Sequence, residues 1–135
     1  MNLFIYGTLT FPEVVFALTG QKFASKRAEL IGYRVAKLKG KKFPGLIKNE
    51  DSIAKGLLIM DLDAESFEII SKWEDPKFSL KNVDVLWGGD TKKVKTFIWK
   101  GDDVAQEDWD REEFKKNYLS EYINYDIPSF LQTIK

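Results

Sequence analysis

The sequence of 135 residues predicts an α+β fold, and three of its features carry that prediction. An apolar run, Leu3-Phe4-Ile5-Tyr6, stops at Gly7 and gives way within a few residues to helix-start chemistry. Two stretches that alternate apolar and polar side chains, Phe78 to Trp87 and Lys93 to Trp99, flank Gly88-Gly89-Asp90, a hairpin-turn composition. Ala64 to Glu74, and the segment after Asp110, carry apolar residues three and four apart, the spacing of a helix face.

The elements follow in order. Thr10 and Glu13 have the capping-box spacing, and Pro12 is tolerated in a first helical turn, so a strand, a tight turn and a helix open the chain. In such a turn the amides of Gly7, Thr8 and Leu9 have no obligatory partner, and the adjoining helix end adds partial positive charge. The turn can therefore hold a carboxylate or oxyanion, although the same pattern also describes an ordinary strand-to-helix connection. Ala28 to Leu38 reads as a strand, Lys39 to Phe43 as a lysine-rich turn and Leu46 to Lys48 as a short extended piece. Ala54 to Met60 is a buried strand, after which Asp61 or Asp63 caps the helix Ala64 to Glu74. Asp110, with Glu113 at the third helical position, opens another helix with Phe114, Tyr118, Leu119, Tyr122 and Ile123 as its apolar stripe. Ile127 to Ile134 closes the chain as a short helix or tail. No repeat, linker or low-complexity segment interrupts residues 1–135, which points to one domain.

Composition removes several function classes. Hydrophobic residues make up 44% of the chain, with ten Phe, five Tyr and four Trp, enough for a packed core. Twenty-one basic and twenty-one acidic residues cancel, so no overall field favours nucleic acid or an anionic membrane. No apolar stretch approaches the roughly 20 residues that cross a bilayer, and no charged leader precedes the first strand, so a cytoplasmic location is expected. With no Cys there are no disulfides or thiolate metal sites. With no His either, Ser-His-Asp and Cys-His catalysis are excluded, and acid-base work near neutral pH falls to a shifted Glu, Asp, Lys or Tyr. Asp61-Leu62-Asp63-Ala64-Glu65 begins like a calcium loop but lacks its sixth-position glycine, and no phosphate-binding glycine motif is present. No metal and no cofactor are expected.

Glu74 stands out among the carboxylates. Around a helix Phe67, Ile70 and Glu74 fall at roughly 0°, 300° and 340°, so the carboxylate shares the apolar arc that includes Ile69 and Trp73. Pro76 disfavours helix at Asp75, which ends the helix near Glu74 and leaves its side chain at the negative end of the dipole. Burial and dipole would both raise its pKa toward the range of a base working near pH 7. The alternative is a frayed helix end with Glu74 in solvent.

Tyr6-Gly7-Thr8-Leu9, followed by Pro12-Glu13-Val14-Val15, resembles the substrate loop of the gamma-glutamylcyclotransferase superfamily, in its avirulence-induced-gene-like branch. Gly32-Tyr33-Arg34, Phe43-Pro44-Gly45-Leu46 and Ala54-Lys55-Gly56-Leu57-Leu58 are similar to later motifs of that family. Trp73-Glu74-Asp75-Pro76-Lys77-Phe78 sits where the family has its aromatic-Glu-Gly-x-x-Tyr motif, and Trp109 to Tyr122 resembles the C-terminal helix. The resemblance implies a small mixed β-barrel with surrounding helices and an active-site cavity at one end. It implies that Glu74 is the catalytic base and acid, and that Tyr6, Gly7, Thr8 and Leu9 bind a small γ-glutamyl substrate, which is cyclised to 5-oxoproline without metal or nucleotide. The chain departs from the family at Ile70-Ser71, Asp75 and Phe78, where Leu-Asp, Gly and Tyr are usual, so a hydroxyl and a carboxylate are missing. Those losses allow a second reading, a non-catalytic small-ligand or interaction module on the same scaffold. A third reading takes Lys37, Lys39, Lys41 and Lys42 beside Phe43 as a single-strand nucleic-acid contact, against which the balanced charge argues.

Overall fold

In the computed structural model, which describes residues 1–135, six strands and a set of helices succeed one another along the chain. The order is β1 (Leu3–Ile5), a 3-10 turn (Thr8–Thr10), α1 (Pro12–Thr19), β2 (Ser25–Leu38), β3 (Gly45–Ile59), α2 (Ala64–Trp73), β4 (Phe78–Trp87), β5 (Asp90–Trp99) and β6 (Val104–Asp108). The C-terminal part is α3 (Arg111–Asn117), α4 (Leu119–Glu121), a π turn (Tyr122–Asp126) and α5 (Ile127–Thr133).

Strands β3, β1, β5, β4 and β2 pair in that order, and β2 pairs back onto β3, closing a five-stranded barrel with β6 added alongside β2. The barrel is mixed because β1 and β5 run parallel while every other pairing is antiparallel. The expected barrel with surrounding helices is the observed architecture. Gly88 and Gly89 form the two-residue β4–β5 turn with φ of 59° and 84°, conformations that favour glycine, and Trp87 faces Asp90 across it.

Three local expectations are corrected. The short piece at Leu46 to Lys48 and the strand at Ala54 to Met60 are one strand, because both ends pair with β2, as far as Lys48 on one side and from Ile53 on the other, while polar Asn49-Glu50-Asp51-Ser52 have no β2 partner at the register shift between Ile31 and Tyr33. Strand β6 was not expected: Gln106-Glu107-Asp108 has no apolar alternation, and its place is set from outside by Arg34. That guanidinium donates to the carbonyls of Ala105, Gln106 and Glu107 at 3.0–3.1 Å and pairs with Asp108 at 3.2 Å. The C-terminal helix is broken at Tyr118 (φ −133°) and again by the π turn, which lies just before Pro128, a residue with no amide to donate to the turn before it.

The apolar residues fall into two groups. Phe4, Ala28, Leu30, Leu46, Ala54, Leu58, Val83, Val85 and Val94, all from strands, fill the barrel. The other group joins β1, α1, α2 and the C-terminal helices around Ile70, Phe114 and Ile127, all three almost completely shielded from solvent. Of the two helix-cap candidates it is Asp63 that caps α2, accepting from the Ser66 amide at 3.1 Å. Burial of Ile70 against the second group fixes which face of α2 turns inward, and so where Glu74 lies.

Candidate active site

Strand β1 delivers Tyr6 directly into the tight turn. The Thr10 hydroxyl donates to the Gly7 carbonyl at 2.6 Å, the Thr10 amide donates to the same oxygen at 3.0 Å, and the Phe11 amide donates to the Thr8 carbonyl at 3.3 Å. This corrects the capping-box expectation. Helix α1 begins at Pro12 with extended Phe11 before it and no side-chain cap, since the Thr10 hydroxyl is already committed to closing the turn. Thr8 and Leu9 lie in the 3-10 turn that follows Gly7, and Phe11 stands between that turn and α1, so none of the three amides belongs to the α1 terminus. None of the turn and loop hydrogen bonds is donated by those three amides.

Helix α2 ends at Trp73. Glu74 adopts extended backbone (φ −67°, ψ 143°), while its amide still closes the last turn onto the Ile70 carbonyl at 3.1 Å. The following turn is fixed by Asp75, whose carboxylate accepts from the Lys77 amide at 2.8 Å and whose carbonyl accepts from the Phe78 amide at 2.9 Å. Asp75 is thereby turned toward its own loop, and Glu74 is left facing the pocket. The Glu74 side chain is half-buried, and its carboxyl pKa is pushed up to about 8, first by burial and then by the like charge of Asp75.

Tyr6, Gly7, Thr8, Leu9 and Glu74 all line one narrow pocket, walled otherwise by Phe4, Ile5, Phe43, Pro44, Phe78 and Phe97. The Tyr6 hydroxyl donates to the Phe97 carbonyl at 2.6 Å, and burial, then Glu74, hold the phenol well above its ordinary pKa. Tyr6 is thus a neutral wall with its proton already placed. Phe78, at the position where the resemblance gives Tyr, stacks edge-on to Trp99 with ring centres 5.0 Å apart and also meets Phe43 and Phe97. The hydroxyl of Ser71, at the position where the resemblance gives Asp, is buried without a hydrogen-bond partner.

The walls supplied by Phe43, Pro44 and Phe97 were not singled out as site residues from sequence. The Phe43-Pro44-Gly45-Leu46 motif was the available signal for the first two. Their segment is held on both sides: Lys41 pairs with Asp103 at 2.7 Å, Lys42 pairs with Glu121 and Asp126, and Trp109 donates to the Lys42 carbonyl at 3.0 Å. Two of the four lysines considered for nucleic acid are therefore paired, and Phe43 is packed into the pocket wall.

No group of three or more metal-ligating side chains converges anywhere in the chain, and no helix is long and apolar enough to cross a membrane. The family model described as gamma-glutamyl cyclotransferase, AIG2-like, matches residues 3–114. AIG2-like protein C of Arabidopsis thaliana is 26% identical over 126 residues, covering 90% of this chain and 73% of that protein. A solution structure from Arabidopsis thaliana superposes with a TM-score of 0.71 at 25% identity, over 90% of this chain and 85% of its own. A structure titled gamma-glutamyl cyclotransferase shares the fold, with a TM-score of 0.61 at 10% identity over 98% of both chains. Because the family model covers residues 3–114, most of its length, this chain belongs to the AIG2-like gamma-glutamyl cyclotransferase family.

Proposed function

We propose that this protein cyclises a γ-glutamyl amine or peptide to 5-oxoproline and releases the amine. One observation carries the reading: a carboxyl group with its pKa near neutrality shares a pocket with a loop whose amides have no turn or loop partner. The substrate holds its own nucleophile. Glu74 takes a proton from the α-ammonium group, the freed nitrogen attacks the γ-carbonyl carbon, and a five-membered ring closes. The bond from that carbon to the departing amine then breaks as the proton held on Glu74 passes to the leaving nitrogen, and Glu74 takes the second proton from the ring nitrogen and passes it to the released amine, which leaves as an ammonium ion. The amides of Gly7, Thr8 and Leu9 hold the α-carboxylate or the developing oxyanion. Tyr6, Phe43, Phe78 and Phe97 keep bulk water from the carboxyl, which maintains its high pKa. With a pKa of about 8, Glu74 is ionised in a minor but useful fraction at pH 7 and returns the proton readily. No metal or nucleotide enters this scheme.

The test is incubation with a panel of γ-glutamyl amines, amino acids and peptides, with mass-spectrometric detection of 5-oxoproline. Product from at least one member, lost in Glu74→Gln, supports the reading. The absence of Asp at Ser71 and of the Tyr hydroxyl at Phe78 favours a second one, a ligand-binding module without turnover. That reading gives thermal stabilisation by a γ-glutamyl compound without product from any member.

A further inference from the structure

We infer that Arg111 is a positioning residue for the pocket loop, acting through Thr10. Its effect on turnover rests on the cyclotransferase reading above, whereas the contact itself rests on geometry. Arg111 is the first residue of α3, 101 residues along the chain from Thr10. Its Nε donates to the Thr10 hydroxyl oxygen at 2.9 Å and an Nη donates to the Thr10 carbonyl at 3.2 Å. The guanidinium lies 3.8 Å from the centre of the Phe11 ring, so the fork is fixed by stacking as well as by hydrogen bonds. Asp110, capping α3 through the Glu113 amide at 3.1 Å, anchors the helix that carries it.

The direction of the hydrogen bonds gives Arg111 its role. A threonine hydroxyl can donate or accept, but a guanidinium can only donate. With Arg111 donating to its oxygen, Thr10 directs its single proton to the Gly7 carbonyl, which already receives the Thr10 amide. That carbonyl is pinned toward Thr10 by two donors. Across a trans peptide the carbonyl and the next amide point in opposite directions, so the Thr8 N–H is turned away from Thr10. Gly7 and Thr8 both line the pocket, so the orientation of this peptide determines what the loop presents to a substrate anion. A lysine could donate one bond from this position but lacks the planar fork that reaches both Thr10 oxygens and stacks on Phe11.

The experiment compares wild type with Arg111→Met, Arg111→Lys, Thr10→Val and the Arg111→Met/Thr10→Val double variant. With a γ-glutamyl compound that wild type turns over, Arg111→Met and Thr10→Val should each raise KM on the order of tenfold, with Arg111→Lys intermediate. The double variant should be little worse than either single one, since both changes release the same peptide. A merely structural role would lower the active fraction, and so kcat, at unchanged KM; that result overturns the proposal. Amide hydrogen exchange supplies a readout that needs no activity. In Arg111→Met the Thr10 and Phe11 amides should exchange on the order of tenfold faster, with the barrel strands unaffected. Equal protection at those two amides overturns the contact. If wild type turns over no γ-glutamyl compound, the cyclotransferase reading fails while the exchange measurement still decides the Arg111 contact.

Discussion

Gly7 and Pro44 are pressed together: a Cβ on Gly7 would stand 2.6 Å from Cγ and 2.9 Å from Cδ of Pro44. This approach leaves no room for a side chain at Gly7. The contact joins the loop after β1 to the segment that walls the pocket opposite it. Gly7→Ala should therefore force the two apart and destabilise the protein by about 1–3 kcal/mol, as overpacking does, while reducing any activity further than stability alone explains. Urea denaturation and steady-state kinetics on the same preparation would show both effects.

The raised pKa of Glu74 has a definite sign in stability. Between its ordinary pKa of 4.5 and about 8, the unfolded chain loses the proton while the folded chain keeps it. The contribution of Glu74 is then fully present below 4.5 and is lost as pH rises to about 8. Glu74→Gln should remove this dependence and make the variant more stable than wild type above pH 8, by an amount on the order of 2–4 kcal/mol. Denaturation midpoints of both proteins from pH 4 to pH 9 measure it.

Arg34 holds β6 through three carbonyls and one carboxylate, with only 16% of its side chain exposed. Arg34→Lys replaces a fork by a point charge and should cost about 1–3 kcal/mol, with faster amide exchange at Ala105 to Asp108. Asp108 is 74% exposed, so Asp108→Asn should cost about 1 kcal/mol or less. The difference between the two variants separates the carbonyl contacts from the ion pair.

The pairing of Lys42 with Glu121 and Asp126 ties the Phe43-Pro44 wall to the C-terminal helices. These side chains are partly exposed, so Lys42→Met should cost about 1 kcal/mol or less in stability. Its larger effect should fall on KM, through a loosened pocket wall, and in wild type a similar change should follow from raising the salt concentration. Kinetics at low and high ionic strength would test this.

Where local spacing decides structure, the sequence was informative. Helical periodicity placed Glu74 on the inward arc with Ile70, and Pro76 marked the end of α2. The two glycines marked the β4–β5 turn. What escaped was decided by contacts distant in sequence. Strand β6 is held by Arg34, the polar stretch Asn49 to Ser52 is bridged by pairing of β2 with the residues on either side of it, and the Thr10 hydroxyl that looked like a helix cap is used on Gly7. The site shows the same division. Tyr6 to Leu9 and Glu74 were legible as motifs, whereas Phe97 reaches the pocket from β5 and Arg111 reaches the loop from α3, with no local pattern to announce either.

The most direct test of the account is the rate of 5-oxoproline release as a function of pH, measured for wild type and Glu74→Gln. Wild-type kcat/KM should rise with pH as a single ionisation with its midpoint near pH 8 and level off above it, where Glu74 becomes fully available as a base, and the variant should lose at least about a hundredfold in rate together with that dependence. A Glu74→Gln protein that keeps wild-type turnover with the same pH profile would contradict it.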